Sequence, residues 1–138
     1  MKLNSYRLLQ ALLWCVCAYH VIVAVGLNTS TGFLRLMAGY YGAHVDWTPQ
    51  FVYILKPLGA FMLVLGGLAA VAALNPRPNR PIVYAFATLF ILRAGQRIVF
   101  APELYSAFAI SSARNIGHVI FFLGLAAILL ILSHSAQR

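Results

Sequence analysis

The sequence Ile91-Leu-Arg-Ala-Gly-Gln-Arg-Ile-Val-Phe100 places two arginines inside an apolar run that is long enough to cross a membrane. Arg93 and Arg97 are four residues apart, so on a helix they share a face and repel each other. Moving either one into hydrocarbon costs about 2.5–3.5 kcal/mol on insertion scales. We therefore expect this stretch to mark a site at which something else satisfies the two cations.

The composition is that of an integral membrane protein with a single domain, residues 1–138. Of the 138 residues, 62% are hydrophobic and 9% are charged, whereas about 25% of residues are charged in soluble domains. The net charge is +8, but the basic residues are scattered and form no stripe with interleaved aromatics, which argues against nucleic-acid binding. Cys15 and Cys17 point to different faces of a helix, so we interpret them as packing residues.

Four apolar runs predict four transmembrane helices, because about 20 helical residues cross the hydrocarbon core. The predicted spans are residues 8–27, 49–74, 81–101 and 108–132. Thr48 is a predicted N-cap, followed by Pro49 at the first helical position. The connection at 75–81 is short and rich in breakers, and the one around Pro102 is equally short, so consecutive spans should be antiparallel. We expect an all-α fold, an integral membrane four-helix up-down bundle.

The first outer connection, residues 28–48, is the longest of the three. It is rich in aromatic residues, which favour the membrane interface. We expect a short interfacial helix over about 33–41, bounded by Gly32 and Gly42. Two roles stay open for it, a packing cap over the end of the bundle and a lid or partner surface.

The basic residues predict the orientation in the membrane. One side carries Lys2, Arg7, Arg77, Arg80 and Arg138, whereas the other carries only Arg35, together with Asp46 and Glu103. Cytoplasmic connections are enriched in lysine and arginine. We therefore expect a multi-pass protein of the cell (inner) membrane with both termini in the cytoplasm.

Every predicted span contributes polar residues at about the same depth, in its outer half. The predicted ligand-binding residues are Arg93, Arg97, Arg114, Lys56, Gln96, Asn115, His118 and His20. Simpler roles exist for most of them. Long cationic side chains snorkel to the interface, and amide and imidazole groups form hydrogen bonds between helices.

The charge balance predicts an anionic partner for these residues. The whole chain has only two acidic residues, Asp46 and Glu103, to balance four cations: Lys56, Arg93, Arg97 and Arg114. Buried charge is normally paired, and the planar guanidinium group fits carboxylate and phosphate oxygens. We expect an outward-facing cationic pocket for an anionic small molecule, a lipid headgroup or an acidic partner subunit.

Two other functions stay open at this stage. His20 and His118 lie on spans that are adjacent in an up-down bundle, so they could hold a b-type haem with arginines on its propionates. Such a protein, or one that binds quinone, would be a membrane subunit of an electron-transfer complex. Alternatively, the chain is a structural accessory subunit. The sequence contains no carboxylate pair, Ser/His/Asp set, Cys/His metal cluster or phosphate loop, so we predict neither catalytic residues nor a metal site.

The architecture resembles the small DoxX-like four-helix membrane proteins. The resemblance is carried by the four short spans, the connection Asn75-Pro-Arg-Pro-Asn-Arg-Pro81 and the segment Arg93-Ala-Gly-Gln-Arg97. It implies a small inner-membrane protein, in some cases an accessory to quinone-linked oxidoreductases. It assigns no functional residues to this chain.

Overall fold

The computed structural model describes residues 2–136, and for residues 2–4 only the backbone. This part of the chain contains six helices and no strand: α1 Lys2–Thr29, α2 Thr31–Tyr41, α3 Pro49–Leu74, α4 Arg80–Val99, α5 Ala101–Phe108 and α6 Ser112–Ser135. The orientation prediction used Lys2 and Arg138. The side chain of Lys2 and the whole of Arg138 lie outside the described residues.

Four of these helices, α1, α3, α4 and α6, are long and apolar enough to cross a membrane, judged by length and composition. Many large apolar side chains lie on their outer surface; Phe61 is 68% exposed and Leu74 is 69% exposed. An apolar surface of this extent is unusual for a soluble monomer. The prediction of an all-helical chain with four long apolar helices is confirmed, and these features indicate a multi-pass membrane protein.

Capping residues explain two of the helix boundaries that the sequence predicts. The Thr48 hydroxyl accepts a hydrogen bond from the Phe51 N–H at 3.2 Å, and α3 starts at Pro49. The Ser30 hydroxyl accepts from the Phe33 N–H at 3.1 Å, so α2 begins before Gly32. Gly42 ends α2 with a φ of 69°, a left-handed conformation that glycine adopts without strain.

The segment between α4 and α6 differs from the sequence prediction of a short connection. It contains α5, a helix of eight residues, so the last long helix starts at Ser112 rather than at residue 108. Pro102 is compatible with helix because it lies in the first turn, where its missing N–H has no intrahelical partner. The carboxylate of Glu103, in the same turn, interacts favourably with the positive end of the helix dipole.

The long helices pack as two antiparallel pairs, α1 with α3 and α4 with α6. Near one end of the first pair, Gln10 Nε2 donates to the Ala73 carbonyl at 2.9 Å; near the other, Gly59 lies against Ala24. In the second pair, the rings of Phe90 and Phe122 are stacked with centroids 6.1 Å apart. Helices α1 and α6 join the pairs, whereas α3 and α4 contact each other less.

The close approach of α1 and α3 predicts different effects of alanine at two glycines of α3. A β-carbon at Gly59 would lie 3.1 Å from the Ala24 carbonyl oxygen and 3.2 Å from Leu27 Cβ, whereas Gly67 has no such neighbour within 4 Å. Gly59→Ala should therefore destabilise the protein by about 1–3 kcal/mol through overpacking. Gly67→Ala should be neutral or stabilising, because alanine favours helix. Thermal unfolding in detergent checks this, and a Gly59→Ala variant as stable as Gly67→Ala would contradict the packing.

Candidate ligand-binding site

A cavity of about 510 Å³ lies between α1, α3 and α4, with α2, α5 and residues 43–47 also contributing to its wall. Its volume falls within the range of about 300–1,000 Å³ that is typical of ligand pockets. Most of the lining is apolar. Its charged and hydroxyl side chains are those of Arg93, Arg97, Tyr19 and Tyr41. Helices α3 and α4, which both line the cavity, contact each other less than the helices within each pair do.

Arg93 and Arg97 both line this cavity and are both partly buried. Their spacing of four residues puts them on one face of α4, as the sequence predicts. The Arg93 Cζ lies 4.7 Å from the centroid of the Phe122 ring, and the Arg97 Cζ lies 5.4 Å from that of Tyr41. Contact with aromatic faces stabilises a guanidinium group without neutralising its charge.

Arg97 is held by two hydrogen bonds to Asn115 at the start of α6. Its Nη1 donates to Asn115 Oδ1 at 2.7 Å, and Asn115 Nδ2 donates to the Arg97 carbonyl at 2.9 Å. Asn115 is only 8% exposed. This reciprocal pair fixes the guanidinium group at the cavity wall and joins α4 to α6.

Two tyrosines complete the polar wall, and sequence reasoning did not select them. The hydroxyls of Tyr19 on α1 and Tyr41 on α2 are 3.1 Å apart, at hydrogen-bonding distance. The Tyr41 ring lies 4.9 Å from the ring of His118. Tyr41 thus fastens α2 over the cavity. A weak sequence signal for it is its place in the predicted interfacial helix.

The two arginines on the wall have no carboxylate partner among residues 2–136. In the described structure, the partners of the Arg97 guanidinium are the Asn115 amide oxygen and the Tyr41 ring, and the partner of the Arg93 guanidinium is the Phe122 ring. Asp46 and Glu103, the two acidic residues of the chain, are exposed and do not line the cavity. The positive charge on the wall is therefore uncompensated by the described part of the protein.

Three other predicted site residues lie away from the cavity. Arg114 is exposed, and its Nη1 donates to the Gly39 carbonyl at 3.1 Å. It lies at the C-terminal end of α2, where the carbonyls carry partial negative charge. Lys56 and Gln96 are also exposed and do not line the cavity. The structure therefore brings together Arg93, Arg97 and Asn115, but not the full set that the sequence analysis placed in one pocket.

The two histidines line a second, smaller cavity, on the other side of Tyr19 and Tyr41. His20 Nδ1 donates to the Val16 carbonyl at 2.7 Å, and the buried Nε2 has no hydrogen-bond partner among the described residues. The cavity measures about 190 Å³, below the range of about 300–1,000 Å³ of ligand pockets. Its size does not fit haem b. Among residues 2–136, no three or more His, Cys, Asp or Glu side chains are grouped as metal ligands.

No protein-family model, no curated protein and no solved structure matches this chain. The resemblance to the DoxX-like proteins therefore stays a prediction. The function of the chain must be inferred from the geometry and charge of the site.

The hydrogen bonds between Arg97 and Asn115 predict a specific loss of stability. Asn115→Ala removes both bonds and leaves partly buried groups of Arg97 unsatisfied, which should cost about 1–3 kcal/mol. Gln96→Ala, one residue before Arg97 but exposed and without a side-chain hydrogen bond in the described structure, should change stability by less than about 0.5 kcal/mol. Thermal unfolding of both variants in the same detergent checks this. Equal shifts in Tm would show that the Asn115 pair adds nothing.

Proposed function

We propose that this chain is a multi-pass membrane protein whose four long helices form an up-down bundle, with an outward-facing cavity that binds the anionic group of a ligand. The observation that carries the proposal is the pair Arg93 and Arg97, on one wall of a cavity of about 510 Å³ without a carboxylate partner in residues 2–136. Among the ligands that the sequence predicts, an anion is the one that supplies the missing negative charge.

The chemistry of the two arginines supports this role. A guanidinium group has five N–H donors. The structure uses Nη1 of Arg97 for Asn115, and the other donors of Arg97 and all those of Arg93 have no side-chain hydrogen bond among the described residues. Hydrogen bonds from a cation to an anionic oxygen are about twice as strong as neutral ones. A bound anion would also offset the repulsion between two cations four residues apart.

The cover of the cavity favours a free ligand over an acidic partner subunit. Helix α2 and residues 43–47 contribute to the wall, and the Tyr19–Tyr41 contact holds α2 in place. A side chain from a part of another protein outside the membrane would have to pass this cover. A neutral quinone would find hydrogen-bond donors here but would leave both cations uncompensated, and a purely structural role would leave the cavity unexplained. We therefore prefer an anion site to these alternatives.

The orientation of the bundle follows from its charges. We propose that both termini lie in the cytoplasm and that α2 lies at the outer face of the inner membrane, since Arg77 and Arg80 mark the connection between α3 and α4 as cytoplasmic. The same architecture and location are implied by the resemblance to the DoxX-like proteins.

Anion binding is tested by thermal unfolding of the purified protein in nonionic detergent, with phosphate and with carboxylates of different size. The best anion should raise the Tm of the wild type and of Lys56→Gln equally, because Lys56 is exposed and does not line the cavity. It should not raise the Tm of Arg93→Gln. Without anion, Arg93→Gln should be as stable as the wild type or more stable, because repulsion with Arg97 is relieved. Equal responses of Arg93→Gln and Lys56→Gln would rule out the arginine site.

The orientation is tested by reporter fusions after residue 138 and within residues 43–47. The first should report the cytoplasm and the second the outer side, because an odd number of long helices separates the two positions. A third fusion in the connection between α3 and α4 should agree with the first. Reporters at 43–47 and at 138 on the same side would contradict the four-span bundle.

A further inference from the structure

The two sides of the main cavity differ in chemistry. The charged and hydroxyl side chains lie on one side. Arg93 and Arg97 come from α4, Tyr41 from α2 and Tyr19 from α1. The lining from α3 is entirely apolar and consists of Phe51, Leu55, Leu58, Met62 and Leu65. A small soluble anion would contact the polar groups and leave the α3 side in contact with nothing. A ligand that uses both sides has an acidic group and an apolar body.

The apolar side is long. Phe51 and Leu65 are fourteen residues apart on α3, which corresponds to about 21 Å at 1.5 Å per residue. The hydrocarbon of one membrane leaflet is about 15 Å deep, half of a core of about 30 Å. The α3 side of the cavity is therefore longer than the hydrocarbon depth of one leaflet.

The charged groups lie towards one end of this cavity. Arg97 and Arg93 precede the end of α4, Val99, by two and six residues, or about 3 and 9 Å. Leu65 lies sixteen residues after the start of α3 at Pro49, or about 24 Å. The cavity thus continues along α3 well past the depth of the arginines. If the head group of a ligand bound at the arginines, its chain could lie along the apolar lining beyond them.

We infer that the ligand is an amphiphilic acid, with a carboxylate or phosphate head bound by Arg93 and Arg97 and one aliphatic chain lying along the apolar side of α3. This inference rests on the proposed anion site and adds the class of its ligand. The charge of such a ligand fits the site, since the arginines lack a carboxylate partner in residues 2–136. The length of its chain fits the long apolar side of α3. Such a ligand enters from the bilayer, where its chain is already dissolved.

A tryptophan in the cavity wall provides the measurement. Trp47 lines the cavity and packs against Phe51, with ring centroids 6.0 Å apart, whereas Trp14 does not line it. These are the two tryptophans of the chain. In a Trp14→Phe background, a brominated chain that enters the cavity quenches the fluorescence of Trp47 alone.

The experiment uses Trp14→Phe protein in bilayers of a neutral, unbrominated lipid, titrated with a brominated fatty acid at known mole fraction in the bilayer. We expect saturable quenching that an unbrominated fatty acid or a single-chain alkyl phosphate reverses. A brominated fatty alcohol of the same length, which lacks the charge, should give only weak, unsaturable quenching. Arg93→Gln should weaken the apparent affinity about tenfold or more, through loss of a charge-assisted hydrogen bond. Lys56→Gln should leave it unchanged.

Arg93→Lys provides a second variant if Arg93→Gln fails to fold. It keeps the charge and should retain more affinity for the acid than the glutamine variant, although lysine lacks the planar fork of arginine.

The outcomes separate this inference from the proposed function. If phosphate or acetate stabilises the protein through Arg93 but the brominated acid gives no saturable quenching, the anion site stands and the amphiphile is wrong. If acid and alcohol quench equally and Arg93→Gln has no effect, the cavity takes a chain without recognising charge, and both fail. Saturable quenching by the acid that depends on Arg93 supports both.

Discussion

The reciprocal hydrogen bonds between Arg97 and Asn115 connect the parts of this structure on which the site depends. They join α4 to α6 and hold one guanidinium group at the wall of the main cavity. The Arg97 guanidinium in turn contacts the ring of Tyr41, whose hydroxyl meets that of Tyr19. Through this chain of contacts a single arginine links α4, α6, α2 and α1. Removing Arg97 would loosen the cover of the cavity and would also take away one of the two positive charges on its wall.

The site lies where the packing of the long helices is least complete. Small residues such as Gly59, Gly66 and Ala69 let α1 and α3 approach closely, and aromatic stacking joins α4 to α6. Helices α3 and α4 contact each other less than the helices within either pair, and both line the cavity. Helices packed tightly in pairs can thus hold two like charges at fixed positions beside an open volume, which an unpaired or fully packed bundle would not do.

The sequence predicts how far along each helix the polar residues lie better than it predicts where their side chains point. Hydrophobic runs and the Thr48–Pro49 cap gave the bounds of α3, and the spacing of Arg93 and Arg97 placed them on one face. Arg114 lies at a similar depth, but its side chain turns to the carbonyl of Gly39, which depth alone does not reveal. The sequence predicts only a short connection around Pro102, where the structure has the eight-residue helix α5. The Tyr19–Tyr41 contact joins residues far apart in the sequence and has no local pattern.

Native mass spectrometry of the protein extracted under mild conditions tests the central claim most directly, since the bilayer of the cell supplies every available ligand. The wild type should retain a single-chain acidic lipid, and the Arg93→Gln/Arg97→Gln double variant should lose it while Lys56→Gln keeps it. A wild type that retains a haem, a quinone or a protein subunit in its place, or a lipid that both variants retain equally, would contradict an arginine-based site for an amphiphilic acid.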